Sequence, residues 1–393
     1  MKIVFTLGSP KIGGGTNVIF EHAGRLVELG EEVYIVSDKK VKYKDCAWHS
    51  KAHLLKFITY KECKNLKFDI AIATWWQTVY KLYNINANKY IYFVQSIESK
   101  FYKNNELSLK TFAELTYCFG LPVITEATWI KKYLEKNYGT RVELVRNGIR
   151  KDIYKILETE ECKHKGLRIL VEGPVDVDFK NVPKTIKLVK KSRADEIWLL
   201  TSSNIKKYPG VDKVFSNIKP AECAKIYSAC DAIVKLSYVE GMFGPPLEMF
   251  HCGGTCVVYK VTGADEYIIN EFNGYIVKKD DEDQVIKCIN KLKDIETLNR
   301  LKKNAIKTAE KWDSWEASSN KFYKSIKRLN ECKTPTQDDL RKSTKMFLSI
   351  HEFIVNESPN NYSLKTKIGN YFRKNMKPLY KIYYKIVTKN DFE

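Results

Sequence analysis

The chain is poor in the residues that build metal and redox centres. Its six histidines (His22, His49, His53, His164, His251 and His351) show no H-E-x-x-H spacing, so each reads as structural or surface-exposed rather than as a ligand. Ten cysteines include no C-x-x-C pair, and the closest two are Cys252 and Cys256. That excludes a zinc or disulfide framework and suits thiols kept reduced in the cytosol. No run of roughly 20 uncharged apolar residues is present, so a membrane-spanning helix is not expected. The first residues, MKIVFTLGSP, lack the basic flank and cleavage site of a signal peptide and read as a β-strand. No Ser-His-Asp or Cys-His constellation stands out, and no D-x-D sequence closes a predicted strand, so a bound metal ion is not demanded.

Positive charge, aromatic rings and length are plentiful. The 393 residues carry a net charge of +20, with 24 Tyr and 18 Phe, and exceed what one core usually supports. Hydrophobic residues at 44% and charged residues at 29% exclude general disorder. The charge is uneven: +10 over residues 1–155, +4 over 156–360 and +8 over 361–390. Phosphorylated ligands, anionic membrane and nucleic acid all fit that distribution.

Short apolar strands alternate with amphipathic helices, which predicts an α/β protein with parallel sheets. Strands are expected at 2–7, 32–37, 68–73, 90–94, 122–126 and 141–145. Helices are expected at about 17–29, 106–118 and 128–137. A polar stretch at 155–166 then suits a linker. The pattern restarts with strands at 167–172, 197–200, 211–215, 232–236, 255–259 and 275–277 and helices between them. Helical stretches at 294–311 and 314–330 precede the tail. The division expected is an amino-terminal domain over 1–157, a second over 166–320 and a helical, basic-aromatic segment over 321–393. Two doubly wound domains facing across a cleft would bind ligands at the carboxyl ends of their strands.

The segment richest in chemistry is 237–248, SYVEGMFGPPLE. Pro245 and Pro246 open a helix, where a missing N–H costs nothing. Gly241 and Gly244 leave backbone N–H groups beside that helix start, a place for phosphate or hydroxyl oxygens. Glu240 and Glu248 lie eight residues apart across this turn. Taken alone, two such acids would be ordinary helix capping.

Over Ser237–Glu248 the sequence resembles the retaining family 4 glycosyltransferases, whose signature is S-x-x-E-G-F-G-x-P-x-L-E on a GT-B fold. The flanks Cys252-Gly253-Gly254-Thr255 and Phe272-Asn273-Gly274-Tyr275-Ile276-Val277 resemble it too. The resemblance covers residues 1 to about 330. It implies that Glu248 binds the ribose hydroxyls of a sugar nucleotide. It implies that Glu240 and the backbone at Gly241, Met242, Phe243 and Gly244 hold the transferred sugar and its phosphate. Gly13, Gly14 and Gly15 occupy the place of the family's glycine-rich turn at the donor diphosphate; the run is not a G-x-G-x-x-G nicotinamide fingerprint. Lys180 matches the family's diphosphate lysine, or else is a solvated loop lysine. The partner arginine is missing, since no Arg lies between Arg168 and Arg193.

Gln95 stands where many members have His. The surrounding YFVQ-x-x-E-x-x-FY pattern, residues 92–102, is similar to bacterial surface-glycan rhamnosyltransferases. It makes Gln95 and Glu98 candidates for donor or acceptor contact, or simply caps of a strand end. Asn147-Gly148-Ile149 resembles the family's structural turn into the linker. Donor-base contacts are expected near Thr201–Ser203 and Ser216–Lys219. The resemblance implies front-face retaining transfer without an enzymatic nucleophile, metal ion or cofactor other than the donor. A GDP-sugar comes first, then dTDP- or UDP-sugars, with rhamnose ahead of mannose and glucose. The acceptor is a hydroxyl of a glycan, glycolipid or glycoprotein. The alternative from another class is a catalytically silent basic protein binding membrane or nucleic acid, nucleic acid being the weaker partner. In the tail, eight Lys and Arg interleave with Tyr362, Tyr371, Phe372, Tyr380, Tyr383 and Tyr384. That composition fits a peripheral membrane contact or a helix packed on the amino-terminal domain.

Overall fold

The computed structural model describes residues 1–103 and 105–357. The basic, tyrosine-rich stretch 361–390 lies outside the described residues. The amino-terminal sheet holds β1 (Lys2–Thr6), β2 (Glu32–Ser37), β3 (Lys56–Thr59), β4 (Lys67–Ala73), β5 (Asn86–Val94), β6 (Val123–Thr125) and β7 (Val142–Leu144). The second sheet holds β8 (Arg168–Glu172), β9 (Glu196–Thr201), β10 (Lys213–Ser216), β11 (Ala232–Lys235), β12 (Thr255–Tyr259) and β13 (Tyr275–Val277). The connecting helices are α1 (Gly14–Glu28), α2 (Tyr43–Cys46), α3 (Tyr60–Cys63), α4 (Trp76–Val79), α5 (Leu107–Glu114) and α6 (Thr128–Tyr138) in the first half. They are α7 (Val182–Lys191), α8 (Pro220–Ser228), α9 (Gly244–His251), α10 (Glu282–Lys291) and α11 (Ile295–Lys311) in the second. Two further helices follow, α12 (Trp315–Asn330) and α13 (Gln337–Glu357).

The strand orders are β3-β2-β1-β4-β5-β6-β7 and β10-β9-β8-β11-β12-β13. Every pair is parallel. Both sheets are therefore doubly wound and reverse direction between their first and fourth strands, where the carboxyl ends leave a crevice. The central strands are buried on both faces, as in Ile169-Leu170-Val171 and Ile233-Val234, because helices cover each side. The strand the sequence did not announce is β3. Its four residues carry Lys56 in solvent at the sheet edge and present no apolar alternation.

The chain crosses between the halves twice, and the crossings touch. Ile149 N–H donates to Asp313 O at 3.1 Å, and Trp315 N–H donates to Ile149 O at 3.3 Å. A Cβ on Gly148 would stand 2.3 Å from Trp315 N, so only glycine allows this approach. The Asn147-Gly148-Ile149 turn is structural, as its resemblance implied. The return lies at Asp313–Trp315, ahead of the 320/321 boundary expected from the sequence, because Trp315 already belongs to the amino-terminal core. From there α12 packs on α1. Phe322 stacks on His22 with centroids 4.1 Å apart and meets Phe93 at 5.1 Å and Phe5 at 6.2 Å. α13 continues over the same half, burying Leu340 and Phe347.

Candidate functional site

The two crevices face one another, and the motif residues collect between them. Lys180 follows β8 at the end of a short turn; Asn181, in the left-handed region at φ 57°, caps α7. Asn181 Nδ2 donates to Leu236 O at 3.0 Å, and Tyr238 N–H donates to Phe179 O at 2.8 Å, so the loops after β8 and β11 are tied together. This brings Lys180 Nζ to both oxygens of Glu240, at 3.0 and 2.9 Å. Thr262 Oγ1 donates to Glu240 O at 2.8 Å and holds the loop from its other side.

Beneath Glu240 lies a second ammonium. Lys235, on β11 and 2% exposed, sits 2.5 Å from Glu172 Oε2 and 3.7 Å from Glu240 Oε1. Burial alone disfavours its charge, but Glu172 and Glu240 hold its pKa above the ordinary lysine value. Burial likewise works against the Glu240 carboxylate, which is 7% exposed. Lys180 and Lys235 outweigh that and keep its pKa below the usual range. Lys235 was not singled out in the sequence, where it reads as the end of an apolar strand. The only signal is a lysine closing Ala-Ile-Val, within a run that parallel packing buries. It supplies a cation near the site where the expected arginine is absent, though bound beneath Glu240 and not open to a ligand.

Glu248 stands in α9, half-buried, and accepts from the Tyr227 hydroxyl at 3.0 Å. Burial and the neighbouring Glu172 carboxylate push its pKa up to about 7, against the bonds from Tyr227 and Tyr154. The α9 start is strained: Phe243, buried, has φ 66° and ψ 54°, a left-handed geometry costly for a bulky side chain. The Tyr267 hydroxyl, donating to Phe243 O, helps to hold it. Met242 N–H is already engaged by Glu126, which leaves the amides of Gly241, Phe243 and Gly244 as candidates to meet an anion. Pro245 and Pro246 have none.

Gly14 and Gly15 begin α1, with Gly13 as its N-cap, so the helix starts three residues earlier than expected. A Cβ at Gly13 or Gly14 would meet nothing within 4 Å, and neither has a positive φ. No neighbour in the fold requires glycine there; the space is open beside a helix N-terminus. Gln95, at the end of β5, donates from Nε2 to Gly15 O at 3.4 Å, and its own carbonyl abuts Gly241. The glycine turn, Gln95 and the Glu240 loop are thus contiguous.

Glu98 is enclosed by its own half. It is 2% exposed and turned into the amino-terminal core, accepting from Trp76 N–H at 2.7 Å and the Tyr92 hydroxyl at 2.9 Å. These partners all belong to the amino-terminal half and suit the reading of Glu98 as a residue that closes a strand end. Burial raises its pKa to about 8 despite those bonds. Thr201–Ser203 and Ser216 do lie together at one rim, with Ser216 Oγ donating to Ser203 O at 2.7 Å. Among the described residues, no group of His, Cys, Asp and Glu is arranged to hold a metal ion. A groove of about 560 Å³ bordered by Cys252, Lys302 and Lys307 opens at the opposite end of α9 from this site.

Residues 205–312 match the family model for group 1 glycosyl transferases. Over 84% of the chain the architecture resembles solved structures. Sucrose-phosphate synthase from Thermosynechococcus elongatus aligns over 84% of this chain and 98% of its own, with TM-score 0.68 and 15% identity. Anabaena HepE in complex with UDP-glucose aligns over 84% and 100%, with TM-score 0.69 and 13% identity. The fold is GT-B. In sequence, an uncharacterized glycosyltransferase of Methanocaldococcus jannaschii is 23% identical over 210 residues, 49% of this chain and 56% of the relative. The match therefore takes in little more than half of that relative's length. Within the GT-B frame, the group 1 glycosyl transferase match covers Glu240 and Glu248 and does not reach Lys180.

Proposed function

We propose that the protein is a retaining glycosyltransferase that moves a hexose or deoxyhexose from a nucleotide sugar to a hydroxyl of a growing glycan. The observation that carries this reading is the pairing of Lys180 with Glu240 at the carboxyl edge of the second sheet, where Gln95 and Glu126 of the amino-terminal half abut Gly241. Glu248 is assigned to the ribose hydroxyls and Glu240 to the transferred sugar. Lys180, the Phe243 and Gly244 amides and the open glycine turn at Gly13–Gly15 are assigned to the diphosphate. In this scheme the leaving phosphate oxygen takes the acceptor's proton. The protein's work is then to position two substrates and to stabilise charge that develops on departure. Lys180 is suited to that: a partly exposed ammonium, 24% accessible, already fixed in direction by an ionised carboxylate.

For the sugar, the 92–102 pattern favours rhamnose from a GDP or dTDP donor, and the likeness to HepE brings UDP-glucose into the same screen. The acceptor side is assigned to Gln95 and the face of the amino-terminal half around Gly15. No helix among the described residues is long and apolar enough to cross a membrane. A peripheral contact through the basic tail belongs to the proposal.

The test is a turnover and thermal-shift screen against GDP-, dTDP- and UDP-sugars, with Glu248→Ala alongside. A donor that binds only the folded chain raises its melting temperature by mass action. Turnover with one donor, abolished in Glu248→Ala, is the expected result. Failure of every donor both to stabilise the chain and to react would remove the transferase reading.

A further inference from the structure

The Glu240 loop is held from the amino-terminal half as well as from its own. Glu126, on the loop that follows β6, is 6% exposed. Its Oε1 accepts from Met242 N–H at 3.1 Å, across the cleft, and its Oε2 accepts from Asn147 Nδ2 at 2.7 Å, at the crossing between the halves. Next to it, Trp129 Nε1 donates to Gly241 O at 3.0 Å. Gly241 leaves no room on this side: a Cβ would stand 2.3 Å from Gln95 O and 2.6 Å from Glu126 Oε1. Both neighbours belong to the amino-terminal half. The glycine of the E-G step is therefore required by the opposing half rather than by its own backbone, which has no positive φ.

A buried carboxyl is costly unless its oxygens are bonded. One of the two bonds made by Glu126 exists only while the halves are together, because Met242 comes from the other sheet. When they part, both the carboxyl and the amide return to water.

We propose that Glu126 is a positioning residue: a latch that holds the Glu240–Gly244 loop against the amino-terminal half and keeps the cleft closed over the site. Its kinetic consequence rests on the transferase reading; its effect on shape does not. Leaving a buried hydrogen-bonding group without its partner is costly enough to shift an open–closed equilibrium about ten- to a hundredfold. A side chain that still accepts from Met242 preserves the latch. Glutamine can do so while its amide nitrogen donates to Asn147 Oδ1, an atom buried without a partner among the described residues, once the Asn147 amide turns over.

The experiment is small-angle X-ray scattering of the full chain without nucleotide, for the wild type, Glu126→Ala, Glu126→Gln and Gly241→Ala, with circular dichroism to verify folding. Glu126→Ala is expected to raise the radius of gyration, and Glu126→Gln to restore the wild-type value. Gly241→Ala is expected to open the cleft with Glu126 intact, because its methyl meets the Gln95 carbonyl, and it stands in should Glu126→Ala fail to fold. On a donor that is turned over, kcat/KM falls about ten- to a hundredfold in Glu126→Ala and recovers in Glu126→Gln. Wild-type scattering from both alanine variants overturns the latch, as does a glutamine variant as open as the alanine one. If the wild type turns over no nucleotide sugar, the transferase reading falls while the scattering comparison still decides the latch.

Discussion

Glu240 and Glu248 are one sequence motif and two different acids. Glu240 lies between two ammonium groups and is ionised throughout the neutral range; Glu248 faces Glu172 and tyrosine hydroxyls and titrates near pH 7. Ribose hydroxyls donate most strongly to an ionised carboxylate. Nucleotide affinity should therefore rise from about pH 6 to about pH 8, changing by up to tenfold per unit on the acid side. Calorimetric titration of the stabilising nucleotide across that range measures the slope, and Glu248→Gln is expected to flatten it. Glu98 acts on stability instead. Its pKa is raised from 4.5 to about 8 in the folded chain, so the fold binds a proton that the unfolded chain has released. Its contribution is complete below about pH 4.5 and is lost as pH rises toward 8. Glu126 and Glu248, both pushed to about 7, act in the same direction. Thermal unfolding followed from about pH 5 to about pH 9 should show a falling melting temperature, with a shallower fall in Glu98→Gln.

At the scale of the element, β11 shows how a strand can carry a charge through a core. Ala232, Ile233 and Val234 pack on both faces, and Lys235 extends to the sheet's carboxyl edge, where Glu172 and Glu240 receive it. Removing one partner of a buried ion group costs more than the group contributed, because the remaining charges lose their compensation. Lys235→Met should destabilise the chain by about 3 kcal/mol near pH 7, read from urea unfolding. The loss should shrink in acid, where the Glu240 carboxylate takes up a proton. Lys180→Met removes a more exposed partner, so its effect on stability should be smaller while its effect on turnover is large.

At the scale of the whole molecule, the chain closes on itself: α12, encoded after the second sheet, completes the core of the first. Phe322 fills the space between Phe5, Phe93 and His22, and Ile326 and Leu329 extend that contact. Phe322→Ala should cost about 3–5 kcal/mol. Amide hydrogen exchange should then show the loss in β1, β5 and α1, while the α9 region stays protected. A loss confined to α12 would mean that the first sheet holds its core without it.

The sequence alone determined the alternation of strands and helices and the two sheets, and its resemblance to known glycosyltransferases singled out Glu240, Glu248, Lys180 and Gly13–Gly15 as candidates. These follow from local periodicity, turn chemistry and one dense motif, all of which act over a few residues. β3 escaped because four residues at an edge carry too little apolar pattern. Only the tertiary structure decided that Lys235 lies under Glu240, that Glu98 turns into a core, and that Glu126 reaches Met242 from 116 residues away. In each case the identity of a partner sets whether a charged side chain binds a ligand, balances a neighbour or holds two halves together. That partner comes from another strand or the other half of the chain, where local pattern has no reach.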